Sequence, residues 1–166
     1  MNIELRPYQI DGLNALWNYF QSGKTGNPLL CWPTGTGKSI APAIFIRETL
    51  RLWPNQRFML LTHVAELLKQ NSNILKQVWE EAPLGLHSAG LKQRDTAHPI
   101  IYAGIQSAIR KGAAIFGWRD IVFIDEAHLI SNDESSMYLT FLATMKLINP
   151  ALKVIGMTAT PYRMGS

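Results

Sequence analysis

The chain has 166 residues and a mass of 18.7 kDa, the size of one ordinary domain. Hydrophobic residues make up 47% and charged residues 17%, which excludes a disordered, highly charged segment, and 12 glycines and 9 prolines without a period exclude collagen-like and low-complexity chains. Lys+Arg number 16 against 12 Asp+Glu, and the resulting +4 permits a polyanionic partner without demanding one. Along the chain, Ile10, Leu13, Leu16, Trp17 and Phe20 recur at helical spacing. Arg6-Pro7 opens that helix and Ser22-Gly23 closes it. The short apolar run Leu29-Leu-Cys-Trp32 reads as a strand leading into Pro33-Thr-Gly-Thr-Gly-Lys-Ser39. A second helix runs to about Leu52, with Pro42 near its start, where it removes one early backbone donor. Phe58 to Leu61 reads as a buried strand, and Val64, Leu67, Leu68, Ile74, Leu75 and Val78 form another helical stripe. Leu84–Leu86 and Ile100–Ala103 are weaker strands, whereas Ile121–Ile124 is the clearest, four β-prone residues ahead of two acids. Ser131 and Glu134 fit a capping box before a helix carrying Tyr138, Phe141, Leu142, Met145 and Ile148, which ends at Asn149-Pro150. A last strand, Val154–Met157, runs into Thr158-Ala-Thr-Pro161.

Helices and short, uniformly apolar strands therefore alternate. Strands that are apolar on both faces are covered on both faces, so the pattern predicts an α/β domain with a mainly parallel sheet. Ligands of such sheets bind at the carboxyl ends of strands, where all the polar clusters fall. No segment reaches the ~18 consecutive apolar residues of a membrane span. The opening Met1-Asn-Ile-Glu-Leu-Arg-Pro7 has no basic stretch followed by an apolar run, so no secretory leader and a cytoplasmic location are expected. The single cysteine, Cys31, has no partner for an internal disulfide and reads as a small buried hydrophobe.

Two clusters carry chemistry. Gly35-Thr-Gly-Lys-Ser39 follows a strand and precedes a helix. Glycines there let the backbone curl until several N–H groups converge on phosphate oxygens, and the helix N-terminus adds partial positive charge. Lys38 is placed to reach the β- and γ-phosphates, and the Ser39 hydroxyl to ligate Mg²⁺. Trp32 stands where the pattern G-x-x-x-x-G-K-[ST] has its first glycine. The second cluster, Asp125-Glu-Ala-His128, ends the Ile121–Ile124 strand. Asp125 fits a carboxylate holding the water shell of Mg²⁺, and Glu126 a base that orients and deprotonates an attacking water. The plainer alternatives are a glycine turn with a solvated lysine and a pair of acids capping a helix.

With these motifs in order, the chain resembles the first RecA-like lobe of superfamily-two helicases and translocases, a P-loop NTPase with helices on both faces of its sheet. Pro33 to Ser39 is similar to motif I, Asp125-Glu-Ala-His128 to a DEAH form of motif II, and Thr158-Ala-Thr160 to motif III. Arg6-Pro-Tyr-Gln9 resembles the adenine-recognising Q motif, and Thr62-His-Val-Ala-Glu-Leu-Leu-Lys-Gln70 motif Ia. Gly104-Ile-Gln-Ser107 resembles the later T-x-Q-S motif, with glycine in place of threonine. The closest flavour is the bacterial and phage DNA helicases that share these motifs with restriction-enzyme motor subunits, which favours DNA over RNA as partner.

The resemblance implies roles. ATP would lie against Arg6, Gln9, Thr34, Gly35, Thr36, Gly37, Lys38 and Ser39, with Mg²⁺ held by Ser39 and Asp125 and catalysis shared by Lys38, Asp125 and Glu126. His128 would link that site to Thr158 and Thr160, which couple hydrolysis to domain movement. Thr62, His63, Gln70, Gln106 and Ser107 would line nucleic-acid backbone, with Glu66 orienting; ordinary surface polarity is the alternative for this set. Lys92, Arg94, Arg110, Lys111 and Arg119 are scattered in sequence and read as solvated, and the five tryptophans read as core. Residues 1–166 are expected to form one ATP-binding lobe, without the second lobe that supplies arginine fingers. The expected function is that of an ATP hydrolase coupled to movement on, or unwinding of, nucleic acid, weak in hydrolysis as an isolated lobe. The alternative is a nucleotide- or partner-binding module without chemistry of its own.

Overall fold

The structure, a computed structural model, describes residues 3–33, 37–126 and 132–159, with backbone alone at 132–135. Thr34, Gly35, Thr36, His128, Thr160 and the capping box of Ser131 and Glu134 lie outside the described residues or side chains.

The elements follow the expected alternation. Helix α1 (Pro7–Gln21) leads to β1 (Leu29–Cys31), α2 (Ile40–Leu52), β2 (Phe58–Thr62) and α3 (Ala65–Val78). Then come β3 (Leu84–Ser88), β4 (Gln93–Arg94), β5 (Ile100–Gly104), α4 (Ile105–Lys111) and a 3₁₀ turn (Ala113–Phe116). Strand β6 (Ile121–Ile124), α5 (Asn132–Ile148) and β7 (Lys153–Thr158) complete it. The strands form one sheet in the order β1-β7-β6-β2-β5-β3-β4, parallel throughout except for β4, which runs antiparallel to β3.

Register divides the side chains between two cores. Leu60 on β2 pairs with Tyr102 on β5 and Phe123 on β6, so these three point to one face. There they meet Leu13 and Leu16 of α1, Phe45 and Ile46 of α2, and Leu68 and Leu75 of α3. The alternate residues Met59, Leu61, Ile101, Val122 and Val154 face Ala108 of α4, Phe116, and Phe141 and Met145 of α5. Both faces are covered, which is why β2, β5 and β6 carry apolar residues without alternation. Helix α1 begins where the Arg6-Pro7 pair predicts: Pro7 occupies the first turn, and Gln9 Oε1 accepts the Arg6 N–H at 2.8 Å.

Several expectations fail, each for a tertiary reason. Cys31 is exposed, not buried, because β1 is an edge strand with β7 on one side only. Of the tryptophans, Trp32 is core, Trp17 and Trp79 are half-buried, and Trp53 and Trp118 are exposed beyond the amino ends of the strands. Arg119, expected in solvent, is 1% exposed. Strand β4, α4 and the 3₁₀ turn were not legible in advance: each is too short for a hydrophobic period to develop.

Candidate active site

The carboxyl ends of the parallel strands lie along one edge of the sheet, and the two chemical clusters meet there. Lys38, just ahead of α2, forms an ion pair with Glu126, just beyond β6. Eighty-eight residues separate them in sequence. Ser39 is the N-cap of α2, and its side chain makes no capping bond to the helix, so the hydroxyl is not spent on that task. Gly37 has φ +76°, a left-handed conformation that favours glycine, and a Cβ on it would lie 2.9 Å from Gln9 Nε2. Gln9, 5% exposed, therefore rests against the glycine-bearing loop at Gly37, and Arg6 stands at the N-cap of the same helix. Trp32 accounts for this docking. Its indole is buried edge-on to Tyr8 with ring centroids 5.9 Å apart, and it fills the notch left by Gly12. The residue that replaces the usual first glycine of the loop thus clamps α1 beside it.

Asp125 is 6% exposed. Its backbone N–H donates to Leu61 O at 2.9 Å, and its Oδ2 accepts from Asn71 Nδ2 at 3.0 Å. Burial raises its pKa above the usual carboxylate range; the Asn71 bond opposes this, Glu126 adds to it, and Lys38 opposes it. Glu126 follows with φ +52°, a left-handed conformation that costs a non-glycine residue about 1–3 kcal/mol and turns the chain sharply after the strand. The donor set suits Mg²⁺: a buried carboxylate and a hydroxyl not spent on capping its helix are hard oxygen ligands. Sequence reading missed Asn71. Its signal was a polar side chain on the apolar stripe of α3, between Leu68 and Leu75.

The expected nucleic-acid residues separate. His63, Gln106 and Arg110 line one cleft of about 380 Å³ with Ile105, Met137 and Tyr138. Ser107 and Arg110 line a second, of about 160 Å³, with Arg94 and Lys111. Ser107 Oγ also accepts the Ala89 N–H at 3.0 Å, tying α4 to the loop after β3. Gln70 is exposed on α3. Thr62 departs from expectation: its hydroxyl is sealed in the interior, with no hydrogen-bond partner among the described residues. The cations Arg94, Arg110 and Lys111, scattered in sequence, gather around one cleft, because the β3–β4 hairpin folds back beside α4. Thr158 is buried at the end of β7, with the Trp32 N–H donating to its carbonyl at 3.0 Å. A larger cleft of about 420 Å³ opens at the amino ends of the strands, and none of the expected site residues lines it.

Comparison with known proteins gives the family and the fold. Residues 2–163 match the family described as type III restriction enzyme, res subunit. Over 172 aligned residues the chain is 25% identical to "Putative helicase 22" of Sulfolobus islandicus filamentous virus, covering 98% of the chain and 29% of that protein. The UvsW helicase of bacteriophage T4 shares the fold with a TM-score of 0.71 and 17% identity, over 96% of this chain and 54% of that one. The Sulfolobus solfataricus SWI2/SNF2 ATPase core, solved with dsDNA, gives 0.67 and 20%, over 96% and 32%. The type ISP restriction-modification enzyme LlaGI, solved with a DNA substrate mimic, gives 0.69 and 16%, over 97% and 18%. The chain thus spans under a third of the curated relative. The family match over nearly all residues, with the shared fold, means that this chain belongs to the type III restriction enzyme res-subunit family and has the fold of the first RecA-like lobe of superfamily-two helicases.

Proposed function

We propose that the chain is the ATP-binding lobe of a DNA-dependent ATPase that translocates on, or unwinds, DNA. The observation that carries this reading is the contact of Lys38 with Glu126, which joins the phosphate loop to the acidic end of β6. In that contact each residue occupies the other. A γ-phosphate arriving at the α2 N-terminus competes for the Lys38 ammonium, which then balances charge on the phosphoryl group. Glu126 is thereby released to orient water and accept its proton. Gln9, held against Gly37, is placed to read the adenine edge, since an amide donates and accepts in one plane. Ser39 and Asp125 would hold Mg²⁺, which when bound supplies Lewis-acid charge to the β- and γ-oxygens. His128, Thr158 and Thr160 would relay the state of this site to a second lobe.

For the nucleic acid, His63, Gln70, Gln106 and Ser107 are proposed to touch backbone, with Arg94, Arg110 and Lys111 added. The neighbours solved with dsDNA and with a DNA substrate mimic support DNA as the polymer. In the complete motor, Glu126→Gln is expected to leave ATP affinity within about threefold and to lower DNA-stimulated turnover by ~10²–10⁴-fold. Lys38→Ala is expected to abolish binding. Unchanged turnover in Glu126→Gln would sink the catalytic assignment. The lobe by itself should hydrolyse slowly, because arginine fingers from a second lobe contribute ~10³–10⁵ in related phosphoryl transfer. Strong nucleotide binding by the complete protein with no response to DNA would favour the binding-module reading.

A further inference from the structure

We propose that Asn71 is a positioning residue for Asp125: its amide fixes the carboxylate through which the chain takes up Mg²⁺ with nucleotide. The inference rests on the nucleotide reading above and deepens it.

Asn71 lies midway along α3, 2% exposed, on the same stripe as Leu68 and Leu75, which are fully buried against the sheet. A polar residue in that row costs stability unless it is hydrogen-bonded. Its Nδ2 donates a hydrogen bond to Asp125 Oδ2 at 3.0 Å, across 54 residues of sequence. The bond ties a helix anchored in the core to the first residue beyond β6.

Two neighbouring groups sharpen the assignment. Thr62 on β2 and Tyr102 on β5 occupy the same sheet face, and both are fully buried. Asp125 is close enough to Tyr102 to reinforce the upward pKa shift that burial imposes on the phenol. Yet neither hydroxyl makes a hydrogen bond among the described residues, so neither stands in for the amide there. The chemistry of the amide also matters. It is neutral, so it orients the carboxylate without cancelling the charge that attracts a cation. A lysine or arginine there would compete with the metal. An aspartate would repel the carboxylate and offer no proton. Partners that orient a metal ligand in this way typically change metal affinity by 10–100-fold when removed.

The test uses the full chain and a fluorescent ADP analogue, titrated in EDTA and across a range of Mg²⁺. Asn71→Ala and Asn71→Leu should bind the analogue in EDTA within about twofold of the parent. Their Mg²⁺ concentration for half-maximal enhancement of affinity should rise by about 10–100-fold. Ser72→Ala, which removes a hydroxyl from the same turn that donates to Lys69 O, should leave that concentration unchanged. Should both apolar variants fold poorly by circular dichroism, Asn71→Ser serves under the same criterion. An unshifted Mg²⁺ dependence overturns the proposal. So does an equal shift in Ser72→Ala, or an equal loss of affinity in EDTA, since each would indicate general disturbance of α3. A parent chain that binds no nucleotide, and equals Lys38→Ala in that respect, overturns the nucleotide reading itself and this inference with it.

Discussion

Arg119 shows how far a single residue can depart from its usual surroundings. It lies just before β6 and holds its charge inside with no ion pair to a carboxylate among the described residues. Nε donates to Phe116 O at 3.0 Å and Nη2 to Thr96 O at 2.9 Å. Nη1 reaches the carbonyls of His98 at 2.8 Å, Phe58 at 3.1 Å and Pro99 at 3.2 Å. Burial and then Arg57 push its pKa down, and Asp120 pushes it up. The pKa is pushed down to about 9, still above neutrality, and five carbonyl contacts favour the charged form, so it stays a cation at neutral pH. Its guanidinium joins the 3₁₀ turn, the start of β2 and the loop before β5. Arg119→Met keeps the bulk but strands those carbonyls. Urea denaturation of the full chain should show a loss of about 2–4 kcal/mol. Arg119→Lys should recover little of it, because one ammonium does not span three segments.

Among elements, the docking of α1 against the loop after β1 brings Gln9 beside Gly37. The contact is narrow. A Cβ on Gly12 would meet Trp32 Cζ2 at 2.3 Å and Cε2 at 3.0 Å. The indole is buried against α1, edge-on to Tyr8 of the same helix. Glycine inside a helix ordinarily costs about 1 kcal/mol relative to alanine. Here the order should reverse: Gly12→Ala should destabilise by about 1–3 kcal/mol, as over-packing does. In a Trp32→Ala background, with the ring gone, the same change should become neutral or stabilising. Thermal melting of the four proteins, read as a double-mutant cycle, checks both signs.

At the scale of the whole molecule, a net charge of +4 understates what the fold presents. Arg94, Arg110 and Lys111 converge on a cleft of about 160 Å³ beside Ser107, at the edge of the sheet that also carries His63 and Gln106. Three cations on one side of a track make binding of a polyanion salt-dependent through counterion release. In the complete protein, replacing all three with alanine should weaken single-stranded DNA binding at every sequence tested. The slope of log affinity against log salt should fall by about 2, at ~0.7 per phosphate contact. An unaltered slope, measured by fluorescence anisotropy, would place the track elsewhere. ATP binding to the lobe should be unaffected, because these residues do not join the Lys38–Glu126 pair.

Much of this was present in the order of residues. Apolar runs at β2, β5 and β6, helical stripes between them, and the loops Gly35–Ser39 and Asp125–Glu126 set the fold class and the end of the sheet where chemistry belongs. They did so because a parallel sheet buried on both faces leaves polar residues only its ends. Spacing in sequence carries no information on partners chosen across the sheet. The bond from Asn71 to Asp125, the burial of Thr62 and Arg119, the exposure of Cys31 and the gathering of three distant cations all depend on strand order. Strand order is set by the energy of packing the whole chain. The sequence by itself determined which residues are capable of the chemistry. Only the tertiary structure decided which side chains hold them in place, because each of those contacts joins segments that are neighbours in space alone.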